Sequence, residues 1–199
     1  MINIEKTMKN LNSRGFDASH FTTGKEAVDY VASQLKGETI GFGGSKTVEA
    51  LGLFERLGEN NSVYWHWKQE MDEARKNSAV AEVYITSANA IAETGEIINI
   101  DGMGNRVAST LYGKKKVYII IGTNKITENF DRALWRARNV AAPLNARRFK
   151  KNTPCSKGEL KCYDCKSPDR ICRGLVVLWN KMLGMEKVEV VIIDEELGF

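Results

Sequence analysis

Three groups of residues have the types and spacings that could do chemistry. The first is Gly41-Phe42-Gly43-Gly44-Ser45-Lys46-Thr47, which falls between a strand-like and a helix-like stretch. Glycines at such a turn let backbone N–H groups converge on an anion. Hydroxyls from Ser45 and Thr47, with the Lys46 charge, would complete the cradle. The run is not a Walker loop, because Ser45 stands where a glycine should precede the lysine. Nor is it the dinucleotide fingerprint, because Lys46 takes the place of the third glycine. The plainer alternative is a tight turn with Ser45 or Thr47 capping the next helix.

The second group lies within residues 86–106. Asn89, Asn105 and Arg106, set beside the turn glycine Gly104, could hold a carboxylate or phosphate, with Arg106 making a two-pronged contact. Glu93 is a candidate base or nucleophile, and Asp101 a weaker one. Taken singly, Asn89 and Asp101 would stabilise turns and Glu93 would be solvated. Their density at the end of a strand is what points to a site.

The third group is Cys155, Cys162, Cys165 and Cys172, spaced C-x6-C-x2-C-x6-C and comprising every cysteine of the protein. Four thiolates can saturate a zinc ion or an iron–sulfur cluster. The x6 flanks match neither a zinc ribbon nor the ferredoxin run, so the metal stays open between the two. Free thiols and two disulfides are the competing readings.

The elements that must position these groups follow from periodicity. Residues 2–14 and 23–37 carry apolar residues at helical spacing, the second capped by Thr22 or Thr23. Glu38–Phe42 reads as a strand, Thr47–Leu57 as a helix, Ser62–His66 as a strand and Glu70–Ser78 as a polar helix. Val80–Ile85 and Glu96–Ile100 read as strands, and Lys116–Ile121 as one covered on both faces. A helix is expected over 128–140, then strands at Leu175–Trp179 and Lys187–Ile193. This alternation predicts a single three-layer α/β domain over residues 1–199 with a mostly parallel sheet. Residues 145–173 form a basic, cysteine-rich excursion from it.

Composition narrows the function. The 199 residues carry 29 Lys and Arg against 25 Asp and Glu, and this net charge of +4 is too mild for a nucleic-acid binder. Seven basic residues between Arg132 and Lys151 read as a solvated face with one arginine free for function. The only histidines, His20 and His66, exclude a histidine-rich metal site, and His66 between aromatics reads as structural. No segment looks like a signal peptide or a membrane span, so a cytoplasmic protein with reduced or metal-bound cysteines is expected. Open sheet edges would be covered by a second copy of the chain.

The run TSANAIAETGEIINIDGMGNRVAS, with GFGGSKT before it and IIIGTNKI, APLNARRF, the TPC…RIC cysteines and EELGF after it, resembles the lactate-utilisation (LUD) domain family. The resemblance spans Gly41 to Phe199. It implies a fold like glucosamine-phosphate isomerase and the CoA-transferases, and a part in bacterial L-lactate oxidation beside iron–sulfur redox partner proteins. It places a ligand on Gly43, Gly44 and Ser45, and it leans the metal towards iron–sulfur. Ala92-Glu93-Thr94-Gly95 is loosely similar to the Ser-Glu-Asn-Gly-like turn holding the CoA-transferase nucleophile. The leading expectation is therefore a protein that binds a small organic acid or phosphorylated ligand at the glycine-rich loop and takes part in electron transfer. The alternatives are a CoA- or acyl-transferase-like enzyme using Glu93, and a non-catalytic scaffold subunit.

Overall fold

A computed structural model describes residues 2–199. In chain order the first elements are α1 (Ile4–Ser13), β1 (Asp17–Phe21), α2 (Gly24–Gln34), β2 (Thr39–Phe42), α3 (Lys46–Ala50), α4 (Leu53–Gly58), β3 (Ser62–Tyr64) and α5 (Met71–Val80). Then come β4 (Val83–Thr86), β5 (Ala90–Ala92), β6 (Ile97–Asp101), α6 (Asn105–Leu111), β7 (Lys116–Gly122) and β8 (Ile126–Thr127). The chain ends with α7 (Phe130–Arg136), α8 (Ala142–Arg148), α9 (Pro154–Lys157), β9 (Gly174–Leu178) and β10 (Lys187–Ile193).

The two longest apolar runs, β7 and β10, pair in parallel at the centre of a six-stranded sheet ordered β1-β10-β7-β4-β2-β3. All five pairings in it are parallel. Alternate residues of a strand face opposite sides, so a central strand must feed two cores. Tyr118, Ile120, Val191 and Ile193 pack with α2 and α4 residues such as Val31 and Leu57, and with Leu35 just after α2. Val117, Ile119, Ile121, Val190 and Ile192 pack on the other side with Leu11 of α1 and with Ile91, Ile97 and Leu178. Those last three belong to a second sheet, ordered β8-β5-β6-β9, whose outer face is covered by Ala133 of α7 and by Ala137. The three-layer, mostly parallel α/β expectation therefore holds.

Several local expectations are corrected. The helix predicted over Thr47–Leu57 breaks at Gly52, whose φ of +64° stops α3 after five residues and starts α4. Val80 ends α5 as an exposed residue rather than opening β4. The third strand stops at Tyr64, before His66. The helix expected over 128–140 runs on to Arg148 through a π-helical turn at Ala137–Ala141. Strands β1, β5 and β8 are additions.

One buried lysine shows how a turn is fixed. Lys114 Nζ donates to the carbonyls of Ser78, Ala79 and Ala81 at 2.8, 2.6 and 2.9 Å, satisfying the end of α5. Its burial pushes the amine down to about 8. Lys114→Met strands three carbonyls and is expected to cost about 1–3 kcal/mol, read as a lower urea midpoint. A change below about 0.5 kcal/mol, typical of an ordinary surface substitution, would contradict this account.

Candidate functional site

The carboxyl ends of the parallel strands open into a cleft of about 640 Å³. From β2 the chain moves outwards to β3 and then returns to lay β4 on the other side of β2. Between β2 and β4 the sheet therefore changes direction, and the crevice outside such a switch point is where open α/β sheets bind ligands. Gly44, Ser45 and Lys46 after β2, and Ser87, Ala88 and Asn89 after β4, line it.

The two loop glycines are there for close packing. A Cβ on Gly44 would stand 2.9 Å from the Trp67 ring, and one on Gly43 would meet Thr86 Oγ1 at 2.8 Å. Trp67 in turn stacks on the buried Trp65 at 5.5 Å between centroids, and the Arg148 guanidinium sits 4.9 Å from its ring. Gly44 thus brings an aromatic wall against the loop, whereas Gly43 lies behind the cleft surface. Ser45 caps α3 by accepting from Val48 N, and Lys46 pairs with Glu49. With only five residues, α3 adds little dipole to the loop.

Sequence reasoning missed a buried lysine in the cleft lining. Lys125, in the turn after β7, is 4 % exposed, and its Nζ lies 2.8 Å from Thr47 Oγ1 and 2.9 Å from Ser87 Oγ. Thr47 Oγ1 donates onward to Leu197 O at 3.0 Å. Among the described residues no carboxylate lies within ion-pairing distance of Lys125. Burial, reinforced by the charges of Arg136 and Arg106, pushes its amine down to about 7. Thr47, expected to touch ligand, instead holds this lysine.

Arg106 lines the cleft, but its prongs are engaged. Its guanidinium donates to Asn99 Oδ1 and to Ile100 O, both at 2.6 Å, and its Nε lies 3.7 Å from Asp101. Asn89 also lines the cleft while accepting from Ile100 N at 2.7 Å. Asp101 accepts from Gly102, Met103, Gly104 and Val107 nitrogens, which fixes the turn into α6. Gly104 is the left-handed residue before α6, with a φ of +86°, and lies outside the lining; Asn105 is within it. These residues shape the cleft and leave fewer free donors than their types imply.

The basic run divides rather than forming one solvated face. Arg136 is buried, donating to Asn124 O at 2.9 Å and Asn89 O at 2.6 Å. Arg148 and Lys151 line the cleft. In all, eight Lys and Arg side chains line it against two Asp, so the lining side chains are positively charged in balance. His66 lies on its wall, where burial and then the Arg75 charge hold the ring below its usual value.

Glu93 is elsewhere. Its carboxylate accepts from Asn3 N at 2.8 Å and Lys6 Nζ at 2.9 Å, and its backbone carbonyl accepts from Asn10. The structure therefore does not bring Glu93 together with the other candidate residues; it anchors α1 onto the second sheet. All four cysteines are free thiols, and all four line one small cavity with Arg138, Tyr163, Asp164 and Arg170. Among the described residues no group of three or more His, Cys, Asp or Glu side chains is placed to hold a metal ion. No described helix is long and apolar enough to cross a membrane.

The profile of the LUD domain family matches residues 4–193 of the chain. No curated protein matches the sequence significantly. The crystal structure of a DUF162 family protein from Deinococcus radiodurans is similar, with a TM-score of 0.58 and 11% identity over 96% of this chain and 95% of that one. At that identity the likeness establishes the fold.

The Lys6 hydrogen bond, then that of Asn3 N, holds the Glu93 carboxyl below its usual range. A depressed carboxylate contributes stability above its unfolded value of about 4.3, lost as pH falls through the folded one. Thermal melts across this acid range should therefore fall more steeply for the native chain than for Glu93→Gln. Equal slopes would contradict the anchoring role.

Proposed function

The chain belongs to the LUD domain family, which points to a lactate-utilisation-related role, and on that premise we propose that its cleft binds a small organic acid or phosphorylated ligand. The fuller reading is a cytoplasmic component of L-lactate oxidation that takes part in electron transfer, with an iron–sulfur cluster or zinc on Cys155, Cys162, Cys165 and Cys172 and iron–sulfur proteins as its redox partners. The observation that carries the ligand class is Lys125, a buried amine with hydroxyl neighbours and, among the described residues, no carboxylate in ion-pairing distance, in the lining of a basic cleft. Burying a cation without a counter-charge is costly, and an anionic ligand supplies that charge.

In this reading Lys125 and Ser87 meet the anion, while Thr47 aims the lysine. Ser45, Asn89 and Asn105 supply hydrogen bonds around it, and Arg148 and Lys151 meet further negative charge at the rim. The Trp67 wall lets apolar parts of a ligand shed water. The transferase alternative draws no support from the placing of Glu93, whose carboxylate is occupied outside this lining.

Isothermal titration with L-lactate, pyruvate and inorganic phosphate tests the reading. At least one is expected to bind the native chain, with affinity falling about tenfold per pH unit above about 7 as Lys125 loses its proton. Lys125→Met should weaken binding by about tenfold or more at pH 6.5, roughly the loss of one charge-assisted contact. Equal affinity in the variant, or no binding by the native chain to any of the three, would overturn the reading.

A further inference from the structure

We infer that Ser87 and Lys125 form a nucleophile–base pair that hydrolyses an ester or thioester of a small organic acid, with Thr47 holding the base in place. The inference rests on the anion-binding reading above for the acid part of the substrate. The serine chemistry stands on the geometry of the three side chains.

A hydroxyl is a weak nucleophile until a base within hydrogen-bond reach takes its proton, and a third group commonly fixes the direction of that base. Ser87 and Lys125 both line the cleft, and Ser87 Oγ lies 2.9 Å from Lys125 Nζ. The other acceptors in reach of the serine, Ala88 O and Thr47 Oγ1, stand at 3.4 and 3.5 Å, long for an O–H donor. The amine is therefore the best-placed acceptor for the Ser87 proton.

Thr47 gives the amine its direction. The threonine donates its own proton to Leu197 O at 3.0 Å, so towards Lys125 Nζ, 2.8 Å away, its oxygen accepts. An N–H of the amine is thereby committed to Thr47, and the lone pair of the neutral form is left for the Ser87 hydroxyl. Thr47 is fully buried, which fixes its rotamer. Gly198 packs against both groups: at its φ of +66°, a Cβ would stand 2.6 Å from Thr47 Oγ1 and 3.4 Å from Lys125 Nζ.

The charged groups that act on Lys125 are Arg136 of α7 and Arg106 of α6, and its contacts at Thr47 and Ser87 are neutral. Glu195, in the segment that packs behind Thr47, spends its carboxylate on Gly24 N at 2.6 Å. Burial and the two arginines thus make the neutral amine accessible close to pH 7, where a base is most useful.

The step balances without a further reagent. Ser87 Oγ bonds to the acyl carbon as its proton passes to Lys125 Nζ. The ester C–O or thioester C–S bond then breaks, and the leaving alcohol or thiol takes that proton. Water next adds to the acyl carbon, giving a proton to Nζ, and the bond to Ser87 breaks as the serine regains its proton. The released acid ionises, and the carboxylate so formed is the kind of anion that charged Lys125 holds.

The test uses the full chain with two probes, p-nitrophenyl acetate for the rate and a fluorophosphonate, which leaves a stable phosphoryl group on an activated serine. Ester hydrolysis is expected to rise about tenfold per pH unit up to about 7 and to level off above it. Ser87→Ala should lower the rate by about a hundredfold or more, and peptide mapping should place the phosphoryl group on Ser87. An undiminished rate in Ser87→Ala, or a rate that climbs with hydroxide straight through pH 7, would overturn the pair. Because the variant can fail by misfolding, the labelling of the native chain decides by itself: no label, or a label elsewhere, overturns Ser87 as nucleophile. Phosphate or pyruvate binding without labelling of Ser87 overturns the pair and leaves the anion site standing. Labelling of Ser87 in a chain that binds neither phosphate, pyruvate nor L-lactate supports the pair and overturns the anion-site reading.

Discussion

A single ammonium group holds together the carboxyl ends of the strands from which the cleft is built. Lys125 Nζ reaches Thr47 at the start of α3 and Ser87 after β4, from its own turn after β7. Through Thr47 Oγ1 the same contact extends to the backbone at Leu197, beyond β10. Hydroxyl oxygens solvate the buried amine only in part, so the strand ends converge on a site that is short of negative charge. Arg106 and Arg136 deepen that deficit, since their charges help to push the Lys125 amine down to about 7. The fold thus gathers cations at these strand ends with few carboxylates among the described residues beside them.

The arginines then separate into those that build the fold and those that face the cleft. Arg106 spends its donors on Asn99 and Ile100, tying α6 to β6, and Arg136 on Asn124 and Asn89, tying α7 to the turn after β7 and to the start of β5. Arg148 lies between the Trp67 and Phe149 rings, which hold it at the rim without an ion pair to a carboxylate among the described residues. Aromatic faces position the guanidinium while leaving its edge for an anion. Arg170 belongs to both worlds, gripping the cysteine loop by its carbonyls and bordering the cleft.

Much of this architecture was written in local pattern. The runs at β7 and β10 are apolar on both faces because helices cover one side and a second sheet the other. The glycine-rich loop was visible as a loop, and Ser45, Lys46, Asn89, Asn105 and Arg106 do meet at the cleft. Lys125 was not legible, because a lone lysine in Gly122-Thr123-Asn124-Lys125 carries no local signal and its burial is made by residues 47 and 87. Glu93 misled for the same reason, its partners Asn3 and Lys6 lying about ninety residues earlier. Strand β1, Asp17–Phe21, lacks clean alternation, and only its pairing with β10 makes it a strand. The cysteine spacing was unmistakable, but not that the excursion folds back to share Arg170 with the cleft.

The most direct test of this account is the titration of Lys125 itself, followed by NMR of isotopically labelled lysine side chains and assigned with Lys125→Met. The account predicts a midpoint near the value of about 7 that burial imposes in the free protein. It also predicts that the midpoint rises when phosphate or pyruvate is added, because a bound anion favours the charged amine. A midpoint of about 10.4, the ordinary lysine value, unmoved by either anion, would contradict it.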